Sequence, residues 1–425
     1  MGTGSPDSKW KLWQKILFRF FVVFLFLLSQ LAYNPLLNIL GYGYRKQVQL
    51  IDAPLQTIVT WFDDHLFHIG YLPGQHTREF GDTHFGVVLF LIIFILALVS
   101  SALWSLLDKK RPGYNRFYYW FSNYLAYYIF LGMIAYAFSK VIPVQSHYPT
   151  APELLTRWGN LRRWEVLFTF MGTSPAYCIF CGWLELIASL LILFNRTRVM
   201  GGLLMTFILV QVVCLNIFYN NNIIMLSGIL LMATLFIIAR ALPKLFFIFI
   251  KLEPVSLASY RYKFTTPWKK YVLIVLCFLP IWKIFTVEKR VLGIYKGVVN
   301  NQKKQRLYKV AVYQQENDTI LPLTTDTVRW KYVCFLDYTT SNQKIVIFDM
   351  QEHQFMHQCE WDSLNHKIII AGKDSARFSY TDLPDGNMQL KGYWQGKNTN
   401  IQLAKLSINS LNLVKDRFLF MQEDQ

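Results

Sequence analysis

Long apolar runs alternate with short basic segments over the first two thirds of the chain. After about Val287 that pattern gives way to short strand-like runs separated by turns. A helix needs roughly 20 apolar residues to cross hydrocarbon. Seven runs approach that length, near 16–40, 85–107, 118–142, 175–194, 199–218, 222–241 and 270–286. The last is the shortest and carries Pro280. Three further segments have apolar residues on one helical face only: 50–69, 151–171 and 242–252. They read as interfacial helices lying along a membrane.

From 287 to 425 the apolar residues alternate with polar ones. Runs of this kind are Lys309–Tyr313, Tyr332–Leu336, Lys344–Phe348, Lys367–Ala371, Met388–Trp394 and Ile401–Lys405. Turn signals such as Asp385-Gly386 and Gly396-Lys397 punctuate them. An antiparallel meander or small barrel is expected. Its first strand is expected at the Leu292-Gly-Ile-Tyr-Lys-Gly297 segment. The fold class is therefore an α-helical polytopic membrane bundle of about seven spans with a C-terminal all-β domain. The domains are expected at 1–286 and 287–425, with a bundle core at about 118–241.

Composition supports the membrane reading, since 53% of the 425 residues are hydrophobic and 16% charged. Soluble domains carry about 25% charged residues. The net charge of +17 does not imply nucleic acid, because much of it flanks apolar runs, as topogenic charge does. With seven spans, most basic clusters (Lys9–Arg19, Asp108–Arg116, Arg196 with Arg198, Arg240–Lys270) fall on one side. That expectation puts the N-terminus in the cytoplasm, the helices in the inner membrane and the β domain in the periplasm.

The sharpest chemistry is Glu185 inside the run Pro175–Phe194. An ionisable group at that depth is costly and suggests function. Cys178, Cys181 and Glu185 are spaced i, i+3, i+7, which shares one helical face. The two thiols read either as a dithiol or as small packing residues. Glu185 reads as a proton relay or head-group site, or as a neutral structural carboxyl. Gln211, at similar depth on the next span, is its expected partner. Lys140, Gln145, Asn216, Tyr219 and Asn220 are expected to form a polar, ligand-binding funnel above it. Arg196 and Arg198 are expected to anchor topology or touch lipid head groups. Cys334 and Cys359 could pair in the β domain. His353, His357 and Cys359, or Asp63, Asp64, His65 and His68, could each hold a cation, but both sets read more simply as wet polar faces, and no metal site is expected. Phosphate loops and catalytic triads are absent from the sequence.

Lys140–Gln145, Phe170–Tyr177, Phe180 with Gly182 and Glu185, Leu193–Arg198 and Asn216–Asn220 together resemble the DoxX-like family of bacterial membrane proteins. The resemblance covers about a quarter of the chain. It implies a helical bundle, and a link, in some members, to quinone-coupled sulfur oxidation or redox complexes. The family pattern includes the glutamate but not the two cysteines. The expected function is a quinone- or lipid-binding component of a membrane redox pathway, with a quinone as candidate cofactor. If it is an enzyme, it is a membrane oxidoreductase subunit. Membrane lipids and a periplasmic or membrane redox partner are the expected partners. A non-enzymatic scaffold whose β domain recognises a partner is the alternative, and a proton-coupled transporter the third.

Overall fold

The structure is a computed structural model that describes residues 10–32, 53–72, 82–254, 268–339, 342–371 and 376–415. Only the backbone is described at 268–277, 337–339, 342, 412 and 415. The chain divides into two compact units. One comprises residues 1–142 and 179–291, the other 143–178 and 292–425.

The first unit is helical. Its helices are α1 (Leu12–Leu27, prolonged by a π turn to Ala32), α2 (Ala53–Phe62), α3 (His84–Leu107) and α4 (Asn115–Val141). Residues 143–178, from the other unit, carry α5 (Ala151–Leu155) and α6 (Arg163–Thr173), and α7 (Pro175–Leu193) leads back. Then come α8 (Arg198–Phe218), α9 (Ile224–Ile238), α10 (Leu242–Phe249) and α11 (Trp268–Lys303). Among the described residues, five helices are long and apolar enough to cross a membrane: α1 with its π turn, α3, α4, α7 and α8. The pair α9 and α10, bent by 71°, makes a sixth if taken as one span. These helices are apolar on their outward faces too, with Leu107, Phe207 and Phe218 exposed. Water would not tolerate so much contiguous apolar surface, whereas hydrocarbon does. The chain is thus compatible with a multi-pass membrane protein.

α4 is the central helix and buries Leu125, Ile129, Met133 and Ala137, among others. Local capping explains several boundaries. The Thr83 hydroxyl accepts the Gly86 N–H at 3.1 Å and starts α3. α9 is capped from a distance, because the Asp82 carboxylate accepts the Ile224 and Met225 N–H groups at 2.7 and 3.0 Å. The Tyr118 hydroxyl lies 2.9 and 2.8 Å from the carbonyls of Phe236 and Ile237, where α9 ends and the chain turns into α10.

Several expectations are refined. The first span begins at Leu12, and its expected end near residue 40 lies outside the described residues. The segment 151–171 is two short helices with a 3-10 turn at Trp158–Asn160, rather than one. The first strand expected at Leu292 is instead helix, because α11 continues through Pro280 for 36 residues. There the period-2 reading lost to helix propagation from the preceding apolar span. Burial of Val287 and Val291, four apart, shows the helical period.

The second unit holds an eight-stranded antiparallel meander: β1 (Arg306–Gln315), β2 (Trp330–Thr339), β3 (Asn342–Asp349) and β4 (Gln354–Asp362), followed by β5 (Lys367–Ile370), β6 (Ala376–Asp382), β7 (Met388–Trp394) and β8 (Lys397–Lys405). β1 also pairs with β8, which closes the barrel. A short hairpin at Asp318–Thr319 extends β1. Gln395 and Gly396 both have positive φ, the signature of the tight turn that fits strand twist between β7 and β8. The interior is packed with side chains, including Tyr313, Trp330, Phe335, Phe378, Leu390 and Trp394. Trp330 and Trp394 meet edge to face at 4.9 Å.

A second apolar cluster lies on the barrel's outer wall. Leu307, Cys334, Leu336, Val346 and Phe348 pack there against Ala151, with Leu155 and Ile408 at the margin. α5 is thus clasped to the barrel. The Gln305 side chain accepts the Ala151 N–H at 3.0 Å, and Gln302 donates to the Tyr148 carbonyl at 2.7 Å. Glu352 forms ion pairs with both Arg157 and Lys331. The Lys331 hydrogen bond, aided by Arg157 and opposed by partial burial, holds the Glu352 carboxyl below its ordinary range.

Candidate functional site

Glu185 sits ten residues into α7, roughly 15 Å along the axis at the helical rise. Its residue is 3% exposed. The expected partner, Gln211, is not the one the structure supplies. Gln211 is exposed on α8, and the Glu185 Oε1 atom accepts instead from Nζ of Lys140, the penultimate residue of α4. The two helices can approach because of Gly182. A Cβ at Gly182 would lie 2.5 Å from the Val141 nitrogen and 2.9 Å from both the Ala137 oxygen and the Lys140 carbonyl carbon. Backbone meets backbone there, and only glycine leaves the space. One turn below Gly182 comes Glu185, and the flexible lysine stem spans the remaining gap.

The pair is incompletely satisfied. Oε2 of Glu185 has no hydrogen-bond partner among the described residues, although it is shielded from solvent. A buried acceptor of that kind costs about 1–3 kcal/mol. Tyr136, one turn before Lys140 on α4, is half-buried. Ser189 turns its hydroxyl back to the Glu185 carbonyl at 2.6 Å, so it serves the helix backbone and not the carboxylate. Cys178 is buried and Cys181 half-buried, and neither forms a disulfide.

Of the residues expected in the funnel, the structure brings Lys140 to Glu185. Asn216 is buried, but it donates to Ser227 Oγ at 3.1 Å and the Ile223 carbonyl at 3.3 Å, and accepts from Asn221 at 2.9 Å. Those bonds lock the α8–α9 turn. Tyr219 is half-buried at the end of α8, and Asn220 is exposed with φ of 52° in the same turn. Gln145 is half-buried and belongs to the other unit.

The two arginines separate in role. Arg198 is buried, and its guanidinium donates to the carbonyls of Ile192 at 3.1 Å and Leu193 at 3.1 Å and to Asn123 Oδ1 at 2.8 Å. It caps the C-terminus of α7, where a cation meets the orphan carbonyls and the negative end of the dipole. That is a helix cap and not an exposed lipid anchor. Arg196 is exposed.

Cys334 and Cys359 do not pair. Cys334 on β2 sits opposite Val346, and Cys359 on β4 opposite Gln343, so β3 lies between them. Two strand spacings, about 9.6 Å, exceed the Cα separation of a disulfide. Burial raises the Cys334 thiol to about 12. His353 bonds to Asp349 at 3.0 Å, while His357 packs against Trp394. Asp63 is not part of a wet face. Burial opposes its ionised form, but its carboxylate accepts the N–H groups of Ile69, Gly70 and Tyr71 at 2.7, 3.0 and 2.7 Å. Those bonds win and hold it below its ordinary value. No group of three metal-ligating side chains occurs among the described residues.

The sequence reading passed over one polar centre. Arg19 is 2% exposed, and its guanidinium meets the Tyr114 hydroxyl at 2.8–2.9 Å, Ser105 Oγ at 2.8 Å and the Asp108 carbonyl at 2.8 Å. Tyr114 in turn donates to Asp108 Oδ2 at 2.7 Å. The one available signal was an arginine inside the first apolar run.

No family model, curated protein or solved structure matches the chain.

Proposed function

We propose that the helical unit binds the head group of a membrane quinone at Glu185 and Lys140, as the membrane component of a redox pathway. The observation that carries the reading is the buried Lys140–Glu185 pair with one carboxylate oxygen left without a donor. A buried ion pair seldom repays its desolvation, so its presence in an apolar helix argues for use beyond stability. A quinol hydroxyl is a donor of the right kind for Oε2. The Lys140 ammonium, shared with Glu185, suits the carbonyl oxygen of the oxidised ring. The DoxX-like resemblance, with its quinone-linked members, supports the same chemistry. Cys178 and Cys181 sit on the Glu185 helix as the nearest dithiol in sequence. Their oxidation to a disulfide would release the two electrons and two protons that turn a quinone into a quinol.

The test is extraction of protein purified in mild detergent, followed by mass spectrometry for quinone. Near-stoichiometric quinone is expected, with loss in Glu185→Gln/Lys140→Met, a double change that leaves no unpaired charge behind. A folded wild-type protein that neither retains quinone nor takes it up from supplemented detergent would end this reading. A Cys178→Ala/Cys181→Ala variant separates binding, which should persist, from electron transfer.

The second reading is a scaffold in which the barrel recognises a partner. Its support is the barrel interior, filled by its own aromatic side chains, which directs recognition to the outer surface.

A further inference from the structure

A second site lies at the other end of the Glu185 helix, and it does not depend on the quinone reading. α7 runs 19 residues from Pro175 to Leu193, about 28 Å at the helical rise. That nearly equals the hydrocarbon thickness of a bilayer, about 30 Å. With Pro175 at one interface, the turn at 194–197 falls at the head-group level of the opposite leaflet. At this turn the surface holds an open groove of about 540 Å³, lined by Leu190, Leu191, Phe194, Asn195, Arg196 and Thr197.

The lining divides by chemistry. Leu190, Leu191 and Phe194 form an apolar floor, and Phe194 is 60% exposed. Among the described residues, Arg196 is the only charged side chain in the lining. Its neighbours in the turn are already engaged: Thr197 Oγ1 donates to the Leu191 carbonyl at 2.7 Å, and Asn195 Nδ2 to the Tyr119 hydroxyl at 3.3 Å. Arg198 is consumed by capping α7. Arg196 is therefore left as a cation with no hydrogen-bond or ion-pair partner among the described residues, at the rim of an apolar groove. The flanking surface is apolar as well, with Ile187, Met200, Leu203 and Phe207 exposed along α7 and α8.

We infer that this groove holds an anionic phospholipid. The phosphate pairs with the Arg196 guanidinium, and an acyl chain lies over Leu190, Leu191 and Phe194. Guanidinium suits phosphate because its fork donates two parallel hydrogen bonds. A zwitterionic lipid would bring its own cation to the same rim and gain less. The rigid turn, fixed by the Thr197, Asn195 and Arg198 bonds, holds the cation in place.

The experiment is native mass spectrometry of the full-length protein from nanodiscs of equal parts phosphatidylglycerol and phosphatidylcholine, with wild type, Arg196→Gln, Arg196→Lys and Phe194→Ser. Wild type should retain phosphatidylglycerol preferentially. Arg196→Gln should lower that preference about fivefold, the contribution of one basic side chain at an anionic surface. Arg196→Lys should restore most of it, since charge remains. Phe194→Ser should weaken retention of both lipids. Arg196 is exposed and has no hydrogen-bond or ion-pair partner among the described residues, so the variant is expected to fold as wild type does. An unchanged preference in Arg196→Gln, or equal retention of both lipids by wild type, would overturn the site. Displacement of the bound lipid by millimolar inorganic phosphate would overturn it as well, by showing a free-anion site without a chain contribution.

Discussion

Gly182→Ala tests whether helix proximity creates the Lys140–Glu185 pair. The added methyl would stand 2.5 Å from the Val141 nitrogen and 2.9 Å from the Ala137 oxygen. Carbon contacts settle near 3.5–4.0 Å, so α4 and α7 must part by about 1 Å. Neither obstacle is a flexible side chain. Overpacking of this kind costs about 1–3 kcal/mol. Against it stands the helix-propensity gain of alanine over glycine, about 1 kcal/mol. The net expectation is a loss of up to about 2 kcal/mol, with the Lys140–Glu185 contact lengthened. Gly228 on α9 supplies the control, because a Cβ there meets nothing within 4 Å among the described residues. Gly228→Ala should be neutral or gain up to about 1 kcal/mol. Thermal unfolding in detergent compares the two. At about 2–4 °C per kcal/mol, Gly182→Ala should fall several degrees below Gly228→Ala. Acylation of Lys140 by an amine reagent should also speed up in Gly182→Ala alone. If Gly182→Ala melts with or above Gly228→Ala and Lys140 stays protected, the close helix contact is not what assembles the pair.

Arg198→Ala should lower the melting temperature by the equivalent of about 2–3 kcal/mol, because three charge-assisted bonds capping α7 disappear. Arg196→Ala should stay within about 0.5 kcal/mol in the same assay. Glu352→Gln should loosen the clasp of residues 150–157 on the barrel by about 1 kcal/mol, given its partly exposed partners, read as faster proteolysis in that segment. Glu352 titrates below its ordinary 4.5 in the folded state. Its contribution is therefore complete above that value and fades as pH falls through the lowered one, so acid should mimic the variant. Without denaturant, Cys334 should resist alkylating reagents at pH 8, and oxidation should not join it to Cys359. A non-reducing peptide map showing that crosslink would contradict the strand order between them.

The architecture was legible wherever one periodicity held over a whole element. Six strand runs were visible from alternation, and all six fall in strands. β4 escaped because its inward residues include His357 and Cys359, and β6 because its alternation rests on only two large apolar side chains, Phe378 and Tyr380. The closure of the barrel was not legible, since β1 and β8 meet across about 90 residues and no local pattern encodes that pairing. Leu292–Gly297 was misread for the opposite reason. A short apolar-polar run looks the same in a strand as at the end of a long helix, and only the preceding span decides.

The site shows where such reading stops. Glu185 was found from one residue, because hydrocarbon penalises a carboxylate wherever it stands. Its partner was not found, because depth arithmetic on straight spans matched it with Gln211 by level alone. Level says nothing of which helices touch. That is decided by Gly182, whose lack of a side chain carries no chemical signal and whose value appears only when the α4 backbone is set against it. The same holds for the arginines. Arg196 and Arg198 are two residues apart and identical in kind, yet Arg198 closes the end of a helix while Arg196 stands at a groove with no polar partner among the described residues. On the functions proposed above, this bundle works through polar groups that the packing leaves unsatisfied. By that measure, Oε2 of Glu185 and the Arg196 guanidinium are where ligands should be sought.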